Sequence, residues 1–273
     1  MGEFRSLSAS VVSFNPDIHV LEETFRHLKN AVDFARERDS LHGFRFFLVD
    51  NGPGQGWGKR IKKLAEKFFE DVLLITGQGN VGYGMGHNLA LKKNSLEYHL
   101  VLNPDVYMEK DALDNSLKFM KKNPQVGMIT PFATNGMGQK EYLCKRYPRV
   151  SVLLLRSFAP DFLKKRFKDI LFHYEMRDMI RDNVIFDIPL ASGAFMFFKR
   201  ELVQRIGGFS KDFFMYFEDF DLCMRLRETA KIAYVPNVKI VHLGGNASGK
   251  GLKHIYFFTK SAFTFFSRYG WRF

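Results

Sequence analysis

The chain has 273 residues, enough for one large α/β unit that removes about three quarters of the unfolded chain's surface from water. Its hydrophobic content of 46% is that of a globular protein, and no apolar run approaches the ~20 residues needed to cross a bilayer. Lys and Arg outnumber Asp and Glu by 41 to 29, a formal charge of +12 with a pI near 9.6, which calls for an anionic partner such as nucleic acid, anionic lipid or a phosphorylated substrate. The two cysteines, Cys144 and Cys223, are far apart and form no CxxC pair, which argues against a zinc ribbon and a disulfide framework and fits a reducing cytosol. No secretory leader is apparent. The opening Met1-Gly2-Glu3-Phe4-Arg5-Ser6 formally fits a myristoylation pattern, though Gly2-Glu3-Phe4 reads equally as an expression-vector remnant.

Strand and helix signals alternate through the first 130 residues. Residues 7–14 (LSASVVSF) are apolar and β-branched, a buried strand, and Asn15-Pro16 can start a helix whose apolar face is Leu21, Phe25, Leu28, Val32 and Ala35. A second strand, 44–50, runs into the loop NGPGQGWG (51–58); Ile61, Leu64 and Phe68 mark a helix, and 72–76 is a third strand. A helix over 84–93, a strand over 98–103, a helix over 109–122 and a strand at 126–130 complete the series. This alternation predicts a mainly parallel, doubly wound sheet, with ligands held beyond the carboxyl ends of its strands. Asp50, Gly77 and Asp105 should then share one edge. Residues 132–183 are basic and lack clear alternation; 184–198 reads as a long strand or strand pair, KIAYVP and VKIVH as two short strands, and 252–269 as a helix. The predicted division is 1–130, which binds the ligand, and 131–273, which carries catalysis, within one continuous domain.

The segment FMYFEDFDLCMR (214–225) concentrates Glu218, Asp219 and Asp221 among aromatic and apolar residues. Such flanks desolvate a carboxylate and raise its pKa, as a general base requires; acidic residues also favour the first turn of a helix, so a capping role competes. GQGNVG (77–82) matches G-x-G-x-x-G, and with Asp105 it permits a nicotinamide-dependent oxidoreductase. Yet it follows the third strand rather than the first, and that chemistry leaves the acidic segment without a role. The looser reading is a glycine-permitted loop that lets backbone N–H groups, Asn80 or Asn88 approach a ligand, set against a simple tight turn. In VDNG (49–52), Asp50 stands at a strand end where it can accept from a base imide or a sugar hydroxyl, or simply shape a turn. In LVLNPDV (100–106), Pro104 ends the ladder, so Asp105 projects where one carboxylate with water and phosphate oxygens suits Mg²⁺ or Mn²⁺. His242, at a strand end in VKIVHLGGNAS (238–248), can ligate a metal or meet a phosphate, or be an ordinary core histidine.

Taken in order, VVSFNP (11–16), FLVDNG (47–52), NVGYGMGHN (80–88), LNPDV (102–106), residues 192–225 and VHLGGNAS (241–248) resemble an inverting family 2 glycosyltransferase of the GT-A fold, in the rhamnosyltransferase-like branch. The resemblance implies a Rossmann-like, mainly parallel twisted sheet flanked by helices, with a smaller mixed sheet and a C-terminal helix on the acceptor side. It implies a dTDP- or UDP-sugar donor, with rhamnose or another hexose transferred to a glycan or lipid-linked glycan such as a lipopolysaccharide precursor. Ser13, Asn15, Asp50, Asn80, Gly82, Gly86, Asn88, Asn103 and Asp105 fall to the nucleotide sugar. Ser192, Gly193 and Tyr216 fall to the sugar and acceptor side. Asp105 and His242 would hold Mn²⁺ or Mg²⁺, and Asp219 would be the base with Glu218 as the competing assignment. The family's metal motif is often Asp-x-Asp, and here it is Asn103-Pro104-Asp105.

Between Lys145 and Lys168 stand eight Lys or Arg and one Asp, mixed with apolar residues, and the tail 250–273 repeats the blend. This suits an anionic membrane surface or a lipid-diphosphate acceptor, and so a cytoplasmic enzyme in peripheral contact with the inner face of the cytoplasmic membrane. A nucleic-acid partner is not expected, because most Phe residues follow core patterns and no recognised nucleic-acid motif is present.

Overall fold

The computed structural model describes residues 5–244 and 251–273. The start at residues 1–4 and the end of the VHLGGNAS motif therefore lie outside the described residues. In chain order the first half comprises β1 (Ser6–Ser13), α1 (Ile18–Glu37), β2 (Gly43–Asp50), α2 (Gln55–Ala65), β3 (Val72–Ile75), α3 (Tyr83–Lys93), β4 (Tyr98–Leu102), β5 (Val106–Met108), α4 (Ala112–Lys122) and β6 (Val126–Thr134). Then come β7 (Lys140–Glu141), β8 (Cys144–Lys145), α5 (Val150–Phe158), α6 (Asp161–Arg166), α7 (Lys168–Tyr174), β9 (Leu190–Ala191), β10 (Phe195–Lys199), α8 (Arg200–Arg205), α9 (Glu218–Leu226), β11 (Lys231–His242) and α10 (Leu252–Tyr269).

Strands β3-β2-β1-β4 are parallel neighbours. Beyond β4 the sheet turns mixed: β10 runs antiparallel to both β4 and β6, β11 lies parallel to β6, and β5 closes that side antiparallel to β11. A second, two-stranded sheet pairs β8 with β9. The architecture is a twisted mixed α/β sheet flanked by helices with a small accessory sheet and a terminal helix, as a GT-A-like fold requires. The sheet is continuous, and the expected division at 130/131 falls inside β6.

Alternation along the strands sorts the core. Ala9, Val11, Phe46 and Leu48 pack on one face with Leu21, Phe25 and Leu28 of α1, Ile61 of α2 and Leu117 of α4. Val12, Phe47 and Val49 point the other way, against Ala90 of α3. The five residues named for the face of α1 are all buried. The cap, however, is Asp17 rather than Asn15-Pro16: its carboxylate accepts from the N–H groups of His19 and Val20. Three further differences have local causes. The glycine loop after β2 becomes helical at Gln55, because Gly58 lets that turn pass beside Asp50, where a Cβ would sit 3.0 Å from its Oδ2. The two short strands expected near 231–242 are one strand, with a register shift between Val235 and Lys239 that accommodates Pro236. Strand β5, three residues long, is too short to leave a periodic signal.

Candidate active site

The strand ends converge as the pattern demands. Ser13 is in register with Asp50, and Val11 with both Leu48 and Leu102, so β1, β2 and β4 finish on one edge. Asp50 is buried; its Oδ1 accepts from the Gly52 N–H at 2.9 Å, and its Oδ2 has no hydrogen-bond partner among the described residues. Asn15 is exposed in a left-handed conformation just beyond Ser13. The glycine loop folds over this end: Gln78 Nε2 donates to the Asp50 carbonyl at 2.8 Å, and Asn51 Nδ2 donates to the Gly82 carbonyl at 3.0 Å. Asn80 accepts from the Gly82 N–H, which shapes the turn.

Three residues assigned to the nucleotide by sequence make close contacts within the chain. Gly82, at φ +88°, faces the Phe214 carbonyl so closely that a Cβ would stand 2.2 Å from it. Gly86 lies against Val12. The Asn88 side chain is engaged at both ends by Phe209, accepting from its N–H at 2.9 Å and donating to its carbonyl at 2.7 Å. The first N–H of α3, on Tyr83, donates to the Phe214 carbonyl. The first N–H at the helix start that a dinucleotide pyrophosphate would use is thus taken by the chain itself, which weighs against the nicotinamide reading.

A cleft of about 440 Å³ lies on the β4–β10 side, lined by Asn103, Glu141, Ser192, Gly193, Tyr216, Glu218, Asp219 and His242 among others. Asp50, Ser13 and Asn15 stand outside its lining, further along the same edge. Asp219 is the second residue of α9: its Oδ2 accepts from the Gly193 N–H at 2.8 Å and its Oδ1 from the Phe220 N–H at 2.8 Å. Burial raises its pKa to about 6 against the pull of those two N–H groups. Glu218 is buried too, and burial together with the Asp219 charge lifts it well above the usual carboxylate range; its Oε2 has no hydrogen-bond partner among the described residues. The two residues before α9, Tyr216 (φ 68°) and Phe217 (φ 63°), are both left-handed, a strained entry that aims the acidic pair. Helix α10 holds that entry, with Ser261 Oγ donating to the Met215 carbonyl and Phe258 and Phe265 packing on Phe217.

At another part of the cleft wall, the end of β11 brings His242 to Asp105, which immediately precedes β5, with Nε2 3.6 Å from Oδ1. His242 Nδ1 lies 2.9 Å from Glu141 Oε2 on β7, and Asn103 Nδ2 lies 3.4 Å from Nε2. A proton on Nδ1, given to Glu141, turns the Nε2 lone pair toward Asp105 and Asn103. Burial works against charge on this imidazole, but the hydrogen bond and charge of Glu141, with Asp105, hold its pKa above the ordinary value. Among the described residues no cluster of three or more His, Cys, Asp or Glu forms a closed metal cage. Two further participants escaped the sequence reading. Tyr83 donates to the Gly193 carbonyl at 2.7 Å, and its phenol is raised by burial and by the charges of Glu218, Asp219 and Asp105. Glu141 sits in the segment with no periodic pattern, so only its long-range pairing with His242 reveals it.

A buried strand-end carboxylate, an Asp–His pair and a desolvated carboxylate thus lie along one sheet edge and its adjoining cleft. Residues 8–207 match the model of glycosyl transferase family 2, and the chain belongs to that family. It is 28% identical over 171 residues to the rhamnosyltransferase WbbL of Escherichia coli K12, a span of 59% of this chain and 61% of the relative. It is 23% identical over 231 residues to the N-acetylglucosaminyl-diphospho-decaprenol L-rhamnosyltransferase of Mycobacterium tuberculosis, covering 80% and 73%. Among solved structures, the mannosyltransferase PcManGT of Pyrobaculum calidifontis, determined with GDP-Man and Mn²⁺, superposes with a TM-score of 0.60 at 19% identity, over 90% of this chain and 59% of that one. The chain thus spans about three fifths of the first relative and of that structure.

Proposed function

We propose that the chain transfers a sugar, rhamnose or another hexose, from a dTDP- or UDP-linked donor to a glycan or lipid-linked glycan, with inversion at the anomeric carbon. The observation that carries this is Asp219: a buried carboxylate, pKa near 6, fixed by the Gly193 N–H and lining the same cleft as His242, which reaches Asp105. Asp50 Oδ2, buried without a hydrogen-bond partner among the described residues, suits the imide N–H of a uracil or thymine.

Asp105 and His242 offer the oxygen and nitrogen donors that Mn²⁺ accepts, and Mg²⁺ through the carboxylate, with Glu141 orienting the imidazole. They fill only part of a coordination shell, which leaves positions for diphosphate oxygens. Such an ion would neutralise charge on the departing nucleoside diphosphate. The protein's part is positional and basic. Asp219 accepts the proton of the acceptor hydroxyl as that oxygen attacks from the side opposite the leaving group, a step worth ~10²–10⁴-fold.

Outside the cleft, α5 to α7 and α10 present exposed apolar side chains, among them Phe162, Phe172, Tyr256 and Phe263, beside Lys164, Lys165, Arg166 and Lys168. Among the described residues no helix is long and apolar enough to cross a membrane. This face supports peripheral contact with an anionic membrane at its cytoplasmic side. Transfer of label from nucleotide sugar to a glycolipid extract tests the assignment. Asp219→Asn should retain donor binding and lose at least ~10²-fold in turnover; near-normal turnover would refute the base.

A further inference from the structure

Tyr83 stands where the glycine loop meets the base, and it is bonded toward both. The Gly82 carbonyl just before it accepts from Asn51 Nδ2 at 3.0 Å, which ties this turn to the end of β2, the strand that carries Asp50. Its own N–H donates at 3.1 Å to the carbonyl of Phe214, two residues ahead of the left-handed Tyr216 that leads into α9. Its hydroxyl donates to the Gly193 carbonyl at 2.7 Å, and the Gly193 N–H in turn donates to Asp219 Oδ2 at 2.8 Å. Asp219 is thus reached from Tyr83 by two routes, through the entry to its helix and through the loop between β9 and β10.

The contact at Gly193 is tight. A Cβ there would stand 3.1 Å from Tyr83 Cε1 and 3.4 Å from Asp219 Cβ, so the phenol ring and the base meet over one bare backbone position. The ring is backed by the sheet. It packs edge-on against His87, with centroids 4.6 Å apart, and His87 Nδ1 lies 2.6 Å from Ser10 Oγ of β1, itself 2.8 Å from His99 Nε2 of β4. Ser10, His87 and His99 are fully buried, so water cannot replace this support. Burial and the charges of Glu218, Asp219 and Asp105 raise the phenol well above its ordinary pKa, which keeps it a neutral donor to the Gly193 carbonyl.

We propose that Tyr83 is a positioning residue for the transfer: its hydroxyl sets Gly193, and through it the direction of Asp219, while its backbone keeps the glycine loop in register with that base. This role presupposes the transfer reading above and adds to it what holds the base in place. Tyr83 takes no proton and acts only through Gly193. A misplacement of about 1 Å in a reacting group costs on the order of 10²-fold, so the hydrogen bond that fixes the loop under the base carries a measurable share of turnover. A ring that merely fills space would behave differently, because phenylalanine fills the same space.

Tyr83→Phe keeps the ring and removes the hydroxyl alone. Assayed well below its melting temperature, it should lower turnover at saturating nucleotide sugar about tenfold or more, with the donor KM and the donor-induced thermal shift within about twofold of the parent. In an Asp219→Asn background the same substitution should change the residual turnover by less than about twofold, because the group it serves is gone. The acid limb of kcat/KM should move to higher pH, since a loosened Gly193 N–H favours the carboxylate less. The other groups that sense the Asp219 charge, Glu218 and Cys223 on α9 and Tyr174 on α7, stay as they are. Gly193→Ala is the second variant: Gly193 is not left-handed, so the added Cβ acts by pressing on the ring and on Asp219, and turnover should fall with the hydroxyl still present. Near-normal turnover in Tyr83→Phe, a further tenfold loss on top of Asp219→Asn, or a loss of donor binding that matches the loss of turnover would overturn the proposal. Any of these in a parent that transfers sugar strikes Tyr83 alone, whereas a parent that transfers none strikes the transfer reading.

Discussion

Asp219 is subject to two opposed effects. Burial favours its protonated form, while the Gly193 and Phe220 N–H groups favour the carboxylate; burial wins, and the group titrates near 6 rather than 3.8. The folded state therefore holds this proton more tightly than the unfolded chain. Its contribution to stability is full below the unfolded pKa and fades as pH rises from about 4 through 6. kcat/KM for transfer should accordingly fall as pH drops through about 6, the limb that reports ionisation of a base in the free enzyme. Glu218 differs. Burial and the Asp219 charge raise it well above the usual carboxylate range, which disfavours it as the proton acceptor, so Glu218→Gln should keep turnover within about threefold while Asp219→Asn loses it. A comparable loss in both variants would mean the pair works as a unit or the assignment is reversed. The aromatic flanks around these acids made the desolvation legible in sequence. The roles of Tyr83 and Glu141 were not legible, because each comes from a partner 110 or 101 residues away.

At the scale of elements, α9 and α10 act as one unit. Asp221 is fully buried and takes Arg225 at 2.6 Å on its own helix, and Arg268 at 2.5 Å and Tyr269 at 2.8 Å from α10. Removing Arg268 leaves a buried carboxylate half-compensated. Arg268→Leu should lower stability by roughly 2–3 kcal/mol, less than the 3–5 kcal/mol of losing a sole partner because Arg225 remains, and urea melts should show it. An unchanged midpoint would mean that the ion pair is idle. The helical face of α1 was readable because five apolar residues recur at the helical period and all meet the sheet. Strand β11 was divided in the sequence reading because Pro236 normally stops a ladder; the register shift absorbs it. At Gly82 and Gly86 the sequence alone does not separate packing from ligand contact, because a glycine needed for close packing and one needed for a ligand leave the same mark.

For the whole molecule, the four parallel strands followed directly from alternation, and with them the edge where Ser13, Asp50 and Asn103 gather. The mixed half did not, since β10 inserts between β4 and β6 from a point nearly a hundred residues downstream. Part of the basic charge lies at Lys164, Lys165, Arg166 and Lys168, beside the exposed rings of α6, α7 and α10 on the face proposed to meet the membrane. Liposome flotation should show binding to vesicles with anionic lipid that weakens from 50 to 500 mM salt, and little binding to neutral ones; equal, negligible flotation in both would remove the membrane face. The central claim is that Asp105 and Asp219 act from opposite sides of one nucleotide sugar. Thermal shift with dTDP- and UDP-sugars, with and without Mn²⁺, in the parent, Asp105→Ala and Asp219→Asn tests it most directly. Stabilisation enhanced by Mn²⁺ is expected in the parent and in Asp219→Asn, with the Mn²⁺ enhancement lost in Asp105→Ala; the same shift in all three proteins, or none with any nucleotide sugar, would contradict these roles.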